Sequence, residues 1–220
     1  YNSFSSTIQL VSPLTKENVS IDNGGGGNWG AVDDYADEEG ENSANINQIK
    51  TMTKAEFAVV LQQEATRKSR IDAATQKIKM TGTVNVPEDC DTLQEATDTV
   101  HLVNMEDYFT DGRTMIIVVG RGEHKIDSVY LEIFSAMNIV GDPGVPKSDL
   151  VVVGGIKFKD GIQGNCHLQH LTLRQAKEDG VGGESSFTMM DVFVEQCGDH
   201  GVLAIGTGVV GRCTNVEVRQ

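Results

Sequence analysis

His170-Leu-Thr-Leu-Arg-Gln175 returns twice more along the chain, as Asp191-Val-Phe-Val-Glu-Gln196 and as Asn215-Val-Glu-Val-Arg-Gln220. Each copy has an apolar–polar–apolar centre (Leu171/Leu173, Val192/Val194, Val216/Val218), then a charged residue, then Gln. Leu171 to Val192 is 21 positions and Val192 to Val216 is 24. The likeness extends outward. Leu168, Met189 and Cys213 each stand three before the first apolar residue, and Glu178-Asp-Gly-Val181 aligns with Gly198–Val202. A period in the low twenties built from short alternations marks a solenoid, whose repeats bury their apolar sides only by stacking on one another. Leucine-rich repeats share the period but want several leucines and an asparagine at set offsets, which these copies lack. Valine, glycine and period-two alternation indicate a parallel β-helix instead.

Composition bounds the rest. The 220 residues are 39% hydrophobic with 24 glycines, enough for one core and many tight turns. The net charge is −14, which repels phosphate backbones and anionic membranes, so no nucleic-acid partner is expected. No apolar run reaches the roughly 18 residues that a membrane span needs. The four cysteines, Cys90, Cys166, Cys197 and Cys213, form no CxxC pair and no zinc-type spacing. Cys213 and Cys197 fall at inward repeat positions, so all four read as free thiols packed as small hydrophobes. That usage points toward a reducing, intracellular compartment.

Residues 1–50 read as a flexible acidic leader: Gly24–Gly27 is a tetraglycine, and Asp33–Glu41 carries six acids without a base. Trp29, the single tryptophan, lies between glycine-rich runs and is the candidate anchor onto a partner. Residues 51–82 form a helical cap segment. Thr53-x-x-Glu56 is a capping box, and Phe57, Val60, Leu61, Ala65, Ile71, Ala74 and Ile78 follow at helical spacing up to Gly82. Such a helix covers the open end of the first coil. Residues 83–220 supply the β-helix. Thr92-x-x-Glu95 starts a second helix and Asp111-Gly112 turns the chain. Met115–Val119 is a continuous apolar strand buried on both faces, and Tyr130–Ile133, Met137–Val140, Leu150–Val153 and Ile156–Phe158 are further strands. The chain begins at Tyr1, and Val216–Gln220 reads as an unfinished repeat, so a piece of a longer polypeptide is expected.

The succession of the "TLQEA" helix, "TMIIVVGRGEHKI", "YLEI" and "AMNIVGD" resembles the opening of the right-handed parallel β-helix, or pectin-lyase-like, superfamily, over about residues 83–220. The resemblance implies a right-handed single-stranded coil. It does not fix an activity, because that coil carries lyases, hydrolases, esterases, phage tailspikes and non-catalytic repeats. For a pectate lyase it would make Asp179, Asp191 and Asp199 the candidate calcium ligands, and Arg174, Arg212 or Arg219 the arginine base. A polygalacturonase would need clustered aspartates, Gly-His-Gly and Arg-x-Lys, of which only Asp199-His200-Gly201 is approximated. A pectin methylesterase would need an aspartate pair with glutamines, whereas Gln175, Gln196 and Gln220 line up as a stacked amide column.

The residues themselves give structural readings for most of these. Arg174, Glu195 and Arg219 occupy equivalent positions on adjacent turns, about 4.8 Å apart, and make a charge-alternating ladder. Asp179 and Asp199 share a turn position one repeat apart, at about 5 Å, so a carboxylate pair for glycoside hydrolysis is geometrically conceivable. His167 and His170 are three apart on a strand, hence on opposite faces, which is wrong for a shared metal. No phosphate-binding loop, dinucleotide fingerprint or metal-ligand spacing is present, and no cofactor is expected. The candidate catalytic residues are therefore Asp179, Asp199, His200 and Arg174, with no complete site among them. The expected function is a non-catalytic scaffold or binding module, engaging a protein partner, an assembly or a glycan through its leader and its flat faces. The rival is a carbohydrate-active lyase or hydrolase acting on acidic polysaccharide.

Overall fold

The computed structural model describes residues 9–11, 50–106 and 114–219, which form two compact units, 1–67 and 68–220. Trp29, most of the acidic leader and the Asp111-Gly112 turn lie outside the described residues. In the first unit, β1 (Gln9–Val11) pairs in parallel with β2 (Lys50–Met52), and the helix α1 (Lys54–Thr81) begins. The capping box forms as the sequence specifies. The Glu56 N–H donates to Thr53 Oγ1 at 3.2 Å, and the Thr53 N–H donates to the Glu56 carboxylate at 2.6 Å. Phe57 and Leu61, two of the apolar residues at helical spacing, are exposed.

The second unit is an all-parallel β-solenoid of about four turns with a helical N-terminal end. The last turns of α1 bury Ala74 and Ile78 in the core beside Val84 and Val86 of β3 (Thr83–Val86). The helix α2 (Leu93–Met105), capped by Thr92 accepting from the Glu95 N–H, adds Leu93, Ala96, Val100 and Val103. The coil then runs through β4 (Met115–Val119), β5 (Gly122–Ile133), β6 (Met137–Gly141) and β7 (Leu150–Phe158). It continues through β8 (Cys166–Arg174), β9 (Val181–Gly183), β10 (Phe187–Glu195), β11 (Val202–Ala204), β12 (Gly211–Thr214) and β13 (Glu217–Arg219). Among the described residues, no helix is long and apolar enough to cross a membrane.

Register sorts these strands into three faces. The first stacks β3, β4, β6, the start of β8, the start of β10 and β12. The second stacks the start of β5, the start of β7, the ends of β8 and β10, and β13. The third stacks the end of β5, the end of β7, β9 and β11. The repeat positions pair as the sequence requires: Leu168 with Met189 and Met189 with Cys213, Leu171 with Val192, Val194 with Val218. The 21-residue step from β9 to β11 becomes 24 from β10 to β12, and the third corner absorbs the difference, with residues 184–186 in one turn and 205–210 in the next.

Three expectations are corrected. Met115–Val119 is not buried on both sides; it alternates, with Met115, Ile117 and Val119 inside and Ile116 and Val118 half-exposed, because a solenoid strand has one interior side. The stretches 150–153 and 156–158 are one bent strand, with Gly154 taking the bend at φ +131°. Cys213 keeps its inward register but is exposed, since among the described residues β12 is hydrogen-bonded to β10 alone. Cys90 and Cys166 are the buried thiols, and burial pushes both up to about 11.

Candidate functional site

The corners between faces are set by backbone chirality. His170, Asp191 and Asn215 all have φ between 52° and 56°, and Gln175 and Gln196 follow at 54° and 57°. These are left-handed conformations, which asparagine, aspartate and histidine tolerate better than branched residues do. One left-handed residue inside a strand turns it from one face to the next and resets its alternation. That corrects the placement of His167 and His170. Leu168 and Leu171 both point inward, so both histidines lie outside the core despite being three residues apart.

The first corner stacks His170, Asp191 and Asn215 on successive turns. His170 Nδ1 lies 2.8 Å from the Asp191 carboxylate, and Asn215 donates to the same carboxylate at 2.8 Å. Lys147, from the loop before β7, donates to it at 2.5 Å and sits 4.2 Å over the Phe193 ring. The Lys147 ammonium, then the His170 ring, hold Asp191 below the usual carboxylate range. In sequence terms, the signal was three residue types suited to positive φ at one repeat position.

The second corner collects three of the four candidate residues. The ladder between β9 and β11 places Asp179 opposite His200, and Glu178 opposite Asp199. The expected sharing of one position by Asp179 and Asp199 is thus off by one residue. His200 donates its backbone N–H to Asp179 Oδ1 at 3.1 Å, and its Nδ1 lies 2.9 Å from that oxygen and 3.3 Å from the Asp199 carboxylate. With acceptors on both sides, Nδ1 carries a proton. The other oxygen of Asp179 faces Tyr130 Oη at 3.1 Å, and Tyr130 Oη in turn accepts from the Asp179 N–H at 3.1 Å. Tyr130 reaches this corner from the first full turn by lying across Gly155. Gly155 was the available sequence signal, since an interior strand glycine marks a close approach.

Electrostatics follow from these bonds. Burial alone would raise the Asp179 carboxyl, but the His200 ring and backbone donors outweigh it and hold the group below its ordinary value. Burial, reinforced by the Asp179 and Glu178 carboxylates, pushes the Tyr130 phenol up to about 12. Asp179, Asp199 and His200 each bring a ligand-type atom within 4.8 Å of the others, a spacing compatible with a divalent cation. Such an ion would compete with the hydrogen bonds that both Asp179 oxygens already accept.

Arg174 does not join this cluster. Its guanidinium pairs with Glu123 at 2.5 Å, two turns back on the second face. The Arg174–Glu195–Arg219 register is present, but the ion pairs run elsewhere, since Arg219 bonds Glu217 on its own strand at 2.5 Å. Gln175 and Gln196 do stack, with Nε2 and Oε1 3.5 Å apart. Arg212 lines a pocket with Gly164, Cys166, Thr188 and Val210 that takes in none of the acids. Comparison with family models, curated proteins and solved structures finds no match to this chain.

Proposed function

We propose that this chain is a right-handed, pectin-lyase-like β-helix that serves as a non-catalytic scaffold or binding module, engaging a protein or glycan within a larger assembly. The observation that carries the reading is that Asp179 is held ionised and already hydrogen-bonded through both oxygens. A glycoside hydrolase needs one carboxyl held protonated as an acid and a second free to act as base or nucleophile. Asp179 is held ionised, its Oδ1 accepts from both the His200 N–H and ring, and its Oδ2 shares the Tyr130 hydroxyl with Glu178. Arg174, the candidate lyase base, is paired with Glu123. The corners that follow β9, β10 and β11, at 184–186, 196–201 and 205–210, are three to six residues long, which supports a flat recognition surface over a substrate-enclosing groove.

The rival reading, a carbohydrate-active enzyme, rests on the proximity of exposed Asp199 and His200 to Asp179. One experiment separates the two. The full chain is incubated with a panel of acidic polysaccharides, with and without calcium, and the release of unsaturated and reducing ends is followed alongside glycan-array binding. The scaffold reading predicts no turnover. Turnover that disappears in D199N or R174A establishes the enzyme instead.

A further inference from the structure

The outer column of the second face is not exposed as an outer column should be. Register aligns Val151, Thr172 and Phe193, alternating with the inward residues Leu150, Val152, Leu171, Leu173, Val192 and Val194. Yet Val151 is only 3% exposed while standing outside the core cluster, and Thr172 is 6% exposed. The loop from Asp142 to Asp149, between β6 and β7, lies over this column as a strap. Thr172 Oγ1 donates to the Lys147 carbonyl at 2.8 Å, and the Lys147 ammonium covers Phe193. Within itself the strap is tied by Gly144 and Val145 N–H groups donating to Asp142, and Arg121 pairs with Asp149 at its far end.

One side chain joins the strap to the coil through both of its polar atoms. His170 Nδ1 faces the Asp191 carboxylate at 2.8 Å, and its Nε2 faces the Val145 carbonyl of the strap at 2.9 Å. Both partners are acceptors, so both bonds exist only when both ring nitrogens carry protons. A neutral ring has one N–H; the charge-assisted bond to the Asp191 carboxylate keeps it on Nδ1, which leaves the strap carbonyl facing a lone pair. The charged groups facing the ring are Asp191 from β10 and Lys147 from the strap; Asn215, which also bonds Asp191, is neutral.

We propose that the strap is a proton-controlled cover, closed over Val151, Thr172 and Phe193 by the His170 imidazolium and released when that ring loses a proton. Asp191, then the Val145 carbonyl, raise the affinity of His170 for its proton, against the opposing charge of Lys147. The sign follows. The latch is fully formed below the ordinary imidazole value and is lost as pH rises through the elevated one. Release bares a column of one valine, one threonine and one phenylalanine. The inference is independent of whether the module recognises protein or glycan.

The test is amide exchange of strap residues 143–149 in the full chain, corrected for intrinsic rates. It runs from about one unit below to about two units above the ordinary imidazole pKa of roughly 6.5, with the His170 ring followed by NMR over the same range. Strap protection is expected to fall by up to roughly tenfold per pH unit between the open-state and latched-state values. Protection elsewhere in β8 and β10 should stay flat. In H170N, which keeps a residue type suited to positive φ, strap exchange should be fast at every pH. Strap protection that does not change with pH, or a His170 ring that titrates at or below its ordinary value, overturns the proposal. The wild-type titration decides the matter even if H170N fails to fold.

Discussion

Gly155 stands directly opposite Tyr130 in the ladder between the first two full turns, and the phenol ring lies over its Cα on the way to Asp179. A Cβ at Gly155 would meet the Asp179 carbonyl oxygen at 2.5 Å and the ring at 2.8 Å. Neither contact can relax without moving backbone or displacing Tyr130. G155A is therefore expected to cost about 1–3 kcal/mol, the usual range for overpacking. It should also weaken the Tyr130–Asp179 bond. Urea unfolding, with the tyrosine absorbance titration as second readout, checks both; an unchanged midpoint contradicts the packing described.

Asp179 makes a pH prediction. Its carboxyl is held below the ordinary value, so it contributes stability above the unfolded pKa of about 3.9 and loses that contribution as pH falls through the folded value. D179N should be less stable than wild type at neutral pH, with the gap closing in acid. Denaturant midpoints measured across the acid range test this. A gap that stays constant with pH would show that Asp179 acts through its shape and not its charge.

The stacking of repeats is tested from inside. Val192 is fully buried and in register with Leu171. V192D places an unpaired charge in the core, at a cost of several kcal/mol, comparable to the whole stability of many domains. Loss of the cooperative melting transition is expected, and a soluble variant with wild-type melting would refute the register.

R174A should do little. The Arg174–Glu123 pair lies at the surface, where such pairs contribute about 0–1 kcal/mol and weaken with salt. A shift in melting beyond that range, or one insensitive to ionic strength, would mean that Arg174 holds more than Glu123.

The parts of this molecule that repeat were legible in its sequence. Leu171 with Val192, and Leu173 with Val194, announce the solenoid because a buried inward position tolerates only apolar side chains, and the offsets of 21 and 24 fixed which residues pair. The two capping boxes were equally plain, being local hydrogen-bond chemistry between residues three apart. The corners were harder to read. The left-handed twist at His170 and Asp191 has no apolar signature, and by resetting the alternation it moved His170 to the side opposite from that which counting gives. The one-residue slip at Asp179 and Asp199 has the same origin, since aligning acids by chemical type overrode the register that Val181 and Val202 set. Tyr130 was out of reach for another reason. Its partner lies 49 residues on, and a bond between non-adjacent turns leaves no period in the sequence.

The unequal third corner has a practical consequence. Three residues more than in the preceding turn are looped out between Ala204 and Gly211, while β12 still meets β10 in step and β13 still follows on the second face. This is the site at which the coil accepts added length without passing it on. A foreign epitope or a tether grafted between Ile205 and Val210 would be displayed at one edge of an otherwise unaltered stack, whereas the same insertion at His170 or Asp191 would put every later strand out of phase.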